Sequence, residues 1–300
     1  MSTPRLLVVY KKSQLSLFTE KDPGVLEQLE QRDPAFHARF IQAHDENEAS
    51  LADVQAAIEE RGISADIRYR AERESTQHFD LIVSVGGDGT LLDVSHAVLN
   101  RPLMGVNSSV LSVGHFCATD ARGFGAALDR WLLGSAPETP MNRLEVSVNG
   151  VAHPTPVLNE VLFAHSCPAA TSRYTLTVGD ESEDHKSSGV WIATGAGSTA
   201  AIRSAGGALM HPADPRIQFV VREPYRWGET PLMLDRGISE SPLYLACKMR
   251  AAALYLDGHR EQLELTLGDR FSVDRHASPL RLVGFRHLRT QAPRTAGARI

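Results

Sequence analysis

The residues best suited to chemistry stand together at Gly86-Gly87-Asp88-Gly89-Thr90, directly after the apolar run Leu81 to Val85. Glycine reaches backbone angles closed to other residues and lets a second molecule approach the main chain. A turn alone rarely needs three glycines around one acid. Where a strand of an α/β sheet hands over to a helix, backbone N–H groups and the positive end of the helix favour phosphate oxygens. A carboxylate among phosphates is repelled unless it engages Mg²⁺ or takes the proton of an attacking hydroxyl. An anionic ligand with a divalent cation therefore accounts for both the glycines and the acid. The plainer alternative is a glycine-rich turn in which Asp88 only caps the following helix.

Such a loop needs a parallel sheet behind it, and the first third of the chain has that rhythm. Leu6 to Tyr10 reads as an opening strand, and residues 49–61 place Leu51, Val54, Ala57 and Ile58 on one helical face, closed by Gly62. Residues 63–69 read as a second strand, 81–85 as a third, 90–100 as a helix starting at the glycine loop and 103–107 as a fourth strand. Residues 11–48, rich in charge and glutamine, read only as helix and loop. From about Arg143 the pattern changes to short runs such as LEVSVNG, RYTLTVGD, SGVWIAT and AALYLDG, with turn signals at Asn149-Gly150, Gly179-Asp180, Asp257-Gly258 and Gly268-Asp269. That spacing predicts a mostly antiparallel β domain. One helix interrupts it, after Gly197-Ser198-Thr199 and toward Gly206-Gly207, and the tail QAPRTAGARI reads as disordered. The expected fold class is thus α/β plus β. An N-terminal parallel α/β domain (residues 1–125) carries the loop. A larger, mostly antiparallel β domain (126–277) follows, with the segment from about 278 to 300 free to return to the first.

Composition narrows the function. The 300 residues carry 31 Lys plus Arg against 36 Asp plus Glu, a net charge of −5, which argues against a protein that coats nucleic acid. Three widely separated cysteines, Cys117, Cys167 and Cys247, form no disulfide framework or metal spacing, and the twelve histidines show none either. No residue is therefore set aside as a metal ligand. His115 and His259 read as polar loop residues. The opening residues lack the layout of a signal or transit peptide, and no apolar run approaches the roughly 20 residues of a membrane span. A soluble, cytoplasmic chain with no membrane partner is expected.

The order of motifs along the chain is more specific. GGDGT resembles the signature of the kinase superfamily that includes NAD kinases and the diacylglycerol and sphingosine lipid kinases, and the remaining motifs resemble NAD kinases. Gly105-Val106-Asn107 is similar to that family's Gly-Ile-Asn segment, and Asn159-Glu160 to its Asn-Glu pair. Residues 194–201, TGAGSTAA, with Ser204-Ala205-Gly206-Gly207 after them, resemble its Thr-Pro-Thr-Gly-Ser-Thr-Ala-Tyr and Ser-Ala-Gly-Gly runs. The resemblance extends in matching order from about residue 5 to 285. Lys186-Ser187-Ser188-Gly189 and the NSSVLSVGHFC stretch look closest to the divergent mitochondrial-type branch.

The resemblance implies an ATP-dependent NAD kinase: the adenosine 2′-hydroxyl of NAD attacks the terminal phosphate of ATP with Mg²⁺ present, giving NADP. Asp88 matches the family's catalytic acid, and Gly86, Gly87, Gly89 and Thr90 would cradle phosphates. Asn107, Asn159, Glu160, Thr199 and Ser204 match NAD-binding positions, the Asn-Glu pair on a ribose. Lys186 stands where the family has Arg and would be a point charge on phosphate, without the guanidinium's bidentate fork. Ser188 and Ala201 replace the usual Asp and Tyr, which keeps open a dinucleotide-binding regulator without turnover; a lipid kinase is the other alternative, although no basic amphipathic membrane helix is visible. The implied partners are NAD and ATP, and the implied assembly is a homodimer or tetramer.

Overall fold

The run Leu81–Gly86 is buried at every position, and it lies inside a sheet covered on both faces. The computed structural model describes residues 3–72, 75–226, 231–259 and 261–285. The sheet order is Ser64–Tyr69, Arg5–Tyr10, Leu81–Gly86, Pro102–Asn107, Leu280–Val283 and Glu138–Met141, with Cys117–Asp120 paired beside Pro102–Asn107. All pairings are parallel except that of Glu138–Met141 with Leu280–Val283. The parallel pairing of Leu280–Val283 with Pro102–Asn107 returns the end of the described chain to this sheet.

Each face of the sheet is sealed by helices whose apolar stripes match it. Val54 and Ile58 of helix Pro34–Glu59 and Phe124 and Leu128 of helix Ala121–Leu132 cover Leu6, Val8, Val83 and Val85. On the other face Leu91, Leu92 and Val94 of helix Asp88–Ser95 cover Leu7, Ile82 and Leu103. Leu158 and Ala196, from the second half of the chain, join that cluster and bring the two halves together beside the glycine loop.

The second half is a pair of six-stranded antiparallel sheets. One runs Glu181–Ser187, Ser172–Val178, Leu243–Cys247, Arg270–Arg275, Leu144–Val148, Val151–Ala152. The other runs Arg236–Ser239, Ile217–Val221, Val190–Ala193, Glu160–His165, Ala252–Leu256, Glu261–Leu265. Alternate residues of both face one shared core, in which Phe163 packs against Tyr174 and Phe271 at ring distances of 5.4 and 4.9 Å.

Several local expectations are revised. Residues 11–48 form two short helices, Gln14–Lys21 and Pro23–Arg32, and most of a third, Pro34–Glu59, of which the expected helix at 49–61 is only the end. The helix after the glycine loop stops at Ser95, not near residue 100. The helix expected after residue 199 is a 3₁₀ turn, Ala196–Thr199, and a single turn, Ala201–Ser204. The tail from residue 291 lies outside the described residues.

Candidate functional site

The glycine loop is shaped by what a β-carbon would strike. One at Gly86 would run into Thr90 Oγ1, and one at Gly87 into Ser112 Oγ. The loop can therefore close against its own helix and against the segment after Asn107. Gly87, not Asp88, is the N-cap of helix Asp88–Ser95, and no side chain caps it. Asp88 lies in the first turn, where its Oδ2 accepts the His115 amide at 2.9 Å and its Oδ1 the Phe116 amide at 2.8 Å. The capping alternative is thereby removed: both carboxylate oxygens are oriented by a different loop.

Asp88 opens onto a cavity of about 660 Å³ together with Gly87, Gly89 and Thr90. Lys11, Lys12, Arg39 and Arg70 also line it, four cations against the single carboxylate of Asp88. The sequence reading missed all four. The signal for two of them was present, since Lys11-Lys12 follows a buried parallel strand at the edge where ligands gather.

Asn159 and Glu160 are nearly buried at the start of strand Glu160–His165. The turn above them is fitted closely: a β-carbon at Gly197 would collide with the Asn159 carbonyl, and Thr194 Oγ1 donates to Leu158 O at 2.6 Å while accepting from Gly197 N at 2.9 Å. Asn159 Oδ1 and Glu160 Oε2 are buried with no hydrogen-bond partner among the described residues, as is Asn107 Oδ1. Buried polar atoms are normally satisfied, and three orphans on two of the sequence motifs are what a site awaiting a polar ligand shows. Burial first, and the nearby Asp257 charge second, push the Glu160 carboxyl up to about 8.

Asp257 was read as a turn former, and it does hold a positive φ of 49° in the hairpin before Gly258. Its side chain does more. With none of it exposed, its Oδ1 accepts the amides of Asn159 at 2.6 Å and Glu160 at 3.2 Å, and its Oδ2 accepts Leu158 N at 2.8 Å. His96 Nε2, one residue past the glycine-loop helix, completes the group at 2.9 Å from Oδ2. Behind the same helix Arg143, fully buried, donates to the carbonyls of Ser95, Val98, Leu99 and Ser278. Burial lowers its guanidinium to about 10, opposed by Asp257. One buried network thus fixes the Asp88 helix relative to the Asn159-Glu160 turn.

The other expected residues are more dispersed. Asn107 Nδ2 donates to Ser112 O at 3.2 Å and braces the loop that carries the Asp88 donors. Thr199 and Ser204 are exposed, on the 3₁₀ turn and the single helical turn. Lys186 is exposed on strand Glu181–Ser187 and does not line the GGDGT cavity. It borders a separate cavity of about 620 Å³ with Arg173, Tyr225 and Arg226. Trp191 faces yet another depression, and its ring lies 5.7 Å from the Arg222 guanidinium.

Residues 11–135 match the family described as the ATP-NAD kinase N-terminal domain. A probable NADH kinase of Oryza sativa subsp. japonica is 34% identical over 229 residues, spanning 68% of this chain and 70% of that protein. An NAD kinase of Marinomonas sp. is 26% identical over 221 residues, 71% of this chain and 74% of that one. Among solved structures, an NAD kinase from Archaeoglobus fulgidus in complex with ATP superimposes with a TM-score of 0.63 at 20% identity, over 94% of both chains. Yeast NADH kinase complexed with NADH gives 0.66 at 18% identity, over 96% of this chain and 85% of the other.

Proposed function

Because this chain belongs to the NAD kinase family, we propose that it transfers the terminal phosphoryl group of ATP to the adenosine 2′-hydroxyl of NAD, yielding NADP. One observation carries the reading. Asp88 is held by two backbone amides at a cavity whose other charged side chains are all cations. The cations neutralise a triphosphate, and the carboxylate receives the proton of the attacking hydroxyl. Phosphoryl transfer asks for this positioning and charge neutralisation rather than covalent help.

Gly86, Gly87, Gly89 and Thr90 form the phosphate cradle. Glu160 and Asn159 take the NAD ribose, a role supported by their orphaned buried oxygens. Asn107, Thr199 and Ser204 remain on the NAD side, and Lys186 acts on phosphate only if brought there by a second copy of the chain. Among the described residues no group of three or more His, Cys, Asp or Glu could hold a metal alone. Mg²⁺ fits as an ion carried in by the triphosphate, with Asp88 as the carboxylate among the described residues that lines the cavity, and when bound it would neutralise charge on the transferring phosphate.

A homodimer is favoured by the half-exposed Leu162, Trp191 and Tyr255 gathered on the outer face of one antiparallel sheet. The three free cysteines suit a reducing cytoplasm. The test is direct: purified chain with NAD, ATP and Mg²⁺, assayed for NADP, with NADH as a parallel acceptor because the rice relative is a probable NADH kinase. NADP or NADPH formation is expected. Binding without turnover of either acceptor would contradict the proposal and leave the regulator.

A further inference from the structure

The glycine-loop helix carries Asp88 at one end and His96 just past the other. Over eight residues an α-helix is a rod of about 12 Å, so whatever fixes His96 also aims Asp88. The His96 backbone is still helical, at φ −64° and ψ −29°, which leaves no loop between the ring and the rod. Its side chain is 5% exposed and that of Asp257 is fully buried. His96 Nε2 lies 2.9 Å from Asp257 Oδ2, and because a carboxylate oxygen only accepts, Nε2 carries the proton. Nδ1 is buried with no hydrogen-bond partner among the described residues. The ring thus has one directional contact, and it crosses from the first half of the chain to the second.

Beyond that contact the Asn159-Glu160 turn is rigid in itself. Asp257 accepts the amides of Leu158, Asn159 and Glu160, and its own amide donates to the Glu160 carbonyl at 3.0 Å. Thr194 N donates to the Asn159 carbonyl at 2.9 Å, and the sheet pairs Glu160 with Ala193 and Val161 with Leu256. The distance and angle from this turn to Asp88 must be set by something else. Leu158 and Ala196 share an apolar cluster with Leu91 and Leu92 of the helix, but apolar burial is non-directional and tolerates sliding. Arg143 grips carbonyls at the end of the helix and makes no hydrogen bond to Asp257. A charge-assisted hydrogen bond to a buried carboxylate is short and directional, and His96 supplies it.

We propose that His96 is a positioning residue for phosphoryl transfer: held by Asp257, it sets the glycine-loop helix so that Asp88 faces the hydroxyl presented by the Asn159-Glu160 turn. The inference rests on the kinase reading above and adds to it a residue that acts through the helix rather than on a substrate. A misplacement of about 1 Å, made far from the reacting atoms, can cost about 10²-fold in rate. A histidine that only filled the joint would contribute to stability and leave the turnover of the folded enzyme alone.

The experiment is steady-state kinetics of the intact chain with NAD, ATP and Mg²⁺, well below the melting transition of every variant. His96→Phe keeps a ring and loses the donor, whereas His96→Gln places an amide N–H near the position of Nε2. The Phe variant is expected to lose about 10- to 100-fold in kcat, with KM for ATP within about twofold of wild type. The Gln variant should recover to within about fivefold of wild type, because its N–H restores the bond. Should the Phe variant not fold, His96→Asn, whose amide stops short of the Nε2 position, takes its place. Hydrogen exchange at the amides of Leu158, Asn159 and Glu160 should quicken with Phe and not with Gln. NADP formation by His96→Phe at the wild-type kcat, or a Gln variant as slow as Phe, would overturn this inference and leave the kinase reading intact. A wild-type chain that forms no NADP would sink the kinase reading; exchange quickened by Phe and restored by Gln would then still uphold the joint, and exchange unchanged by Phe would sink it too.

Discussion

Asp257→Asn should loosen the joint between the two halves of the molecule. The aspartate's backbone angle suits asparagine equally, so the hairpin itself is undisturbed. The change falls on the acceptors. Two amide donors meet Oδ1, and one amide and His96 Nε2 meet Oδ2, all within 2.6–3.2 Å. An asparagine oxygen can serve one pair, while its NH₂ confronts the other pair with a donor. Two charge-assisted bonds at about 1.5–3 kcal/mol each give a loss of about 3–6 kcal/mol. For a chain of this size that corresponds to a melting temperature lowered by roughly 5–15 °C. Glu160 should also titrate lower, because the Asp257 charge is the second cause of its raised pKa, although burial, the first cause, persists. Differential scanning calorimetry of wild type and variant at several pH values reads both effects. A melting temperature within about 1 °C of wild type, far short of the two bonds' worth, would refute the network.

Other outcomes follow from the same geometry. Glu160 keeps its proton in the folded state up to about 8, whereas the unfolded chain releases it near 4.5, so this group's contribution to stability is full below 4.5 and falls away as pH rises toward 8. The window is on the order of 5 kcal/mol. Glu160→Gln should flatten the melting temperature over that range and remove any gain in NAD affinity as the carboxylate forms; a pH profile matching wild type would assign the burial elsewhere. Arg143→Met leaves four carbonyls without their donor, those of Ser95 and Val98 in buried surroundings, and should cost about 3–5 kcal/mol, measured by urea unfolding; a loss under about 1 kcal/mol would show that water replaces the guanidinium easily.

The strand, loop and helix around GGDGT were legible because period, glycines and acid agree within a few residues. The alternation of the antiparallel half was legible for the same reason, while Ile217–Val221, buried throughout and flanked by no hairpin signal, was passed over. Two Asp-Pro pairs, Asp22-Pro23 and Asp33-Pro34, mark the starts of the second and third helices and were available signals in the unread region. The early stop of the glycine-loop helix was not available. Arg143, distant in sequence, takes the carbonyls of Ser95, Val98 and Leu99, and only the folded chain brings it there. Asp257 was visible as a turn and invisible as an acceptor, because local sequence reports the φ of a residue and not what its side chain meets. Lys186 illustrates the reverse: motif order placed it with phosphate, while strand geometry sets it on another cavity of the same chain.

The most direct test of the account is the rate of NADP formation by Asp88→Asn beside wild type, with ATP affinity, NAD affinity and melting temperature measured on the same preparations. Asparagine can still accept one of the two amides from His115 and Phe116, so the fold should lose only about 1 kcal/mol. Loss of the base should cut turnover by about 10²–10⁴ with NAD binding retained. A variant that keeps more than about a tenth of wild-type turnover, well short of the loss expected for a general base, would contradict the role given to Asp88.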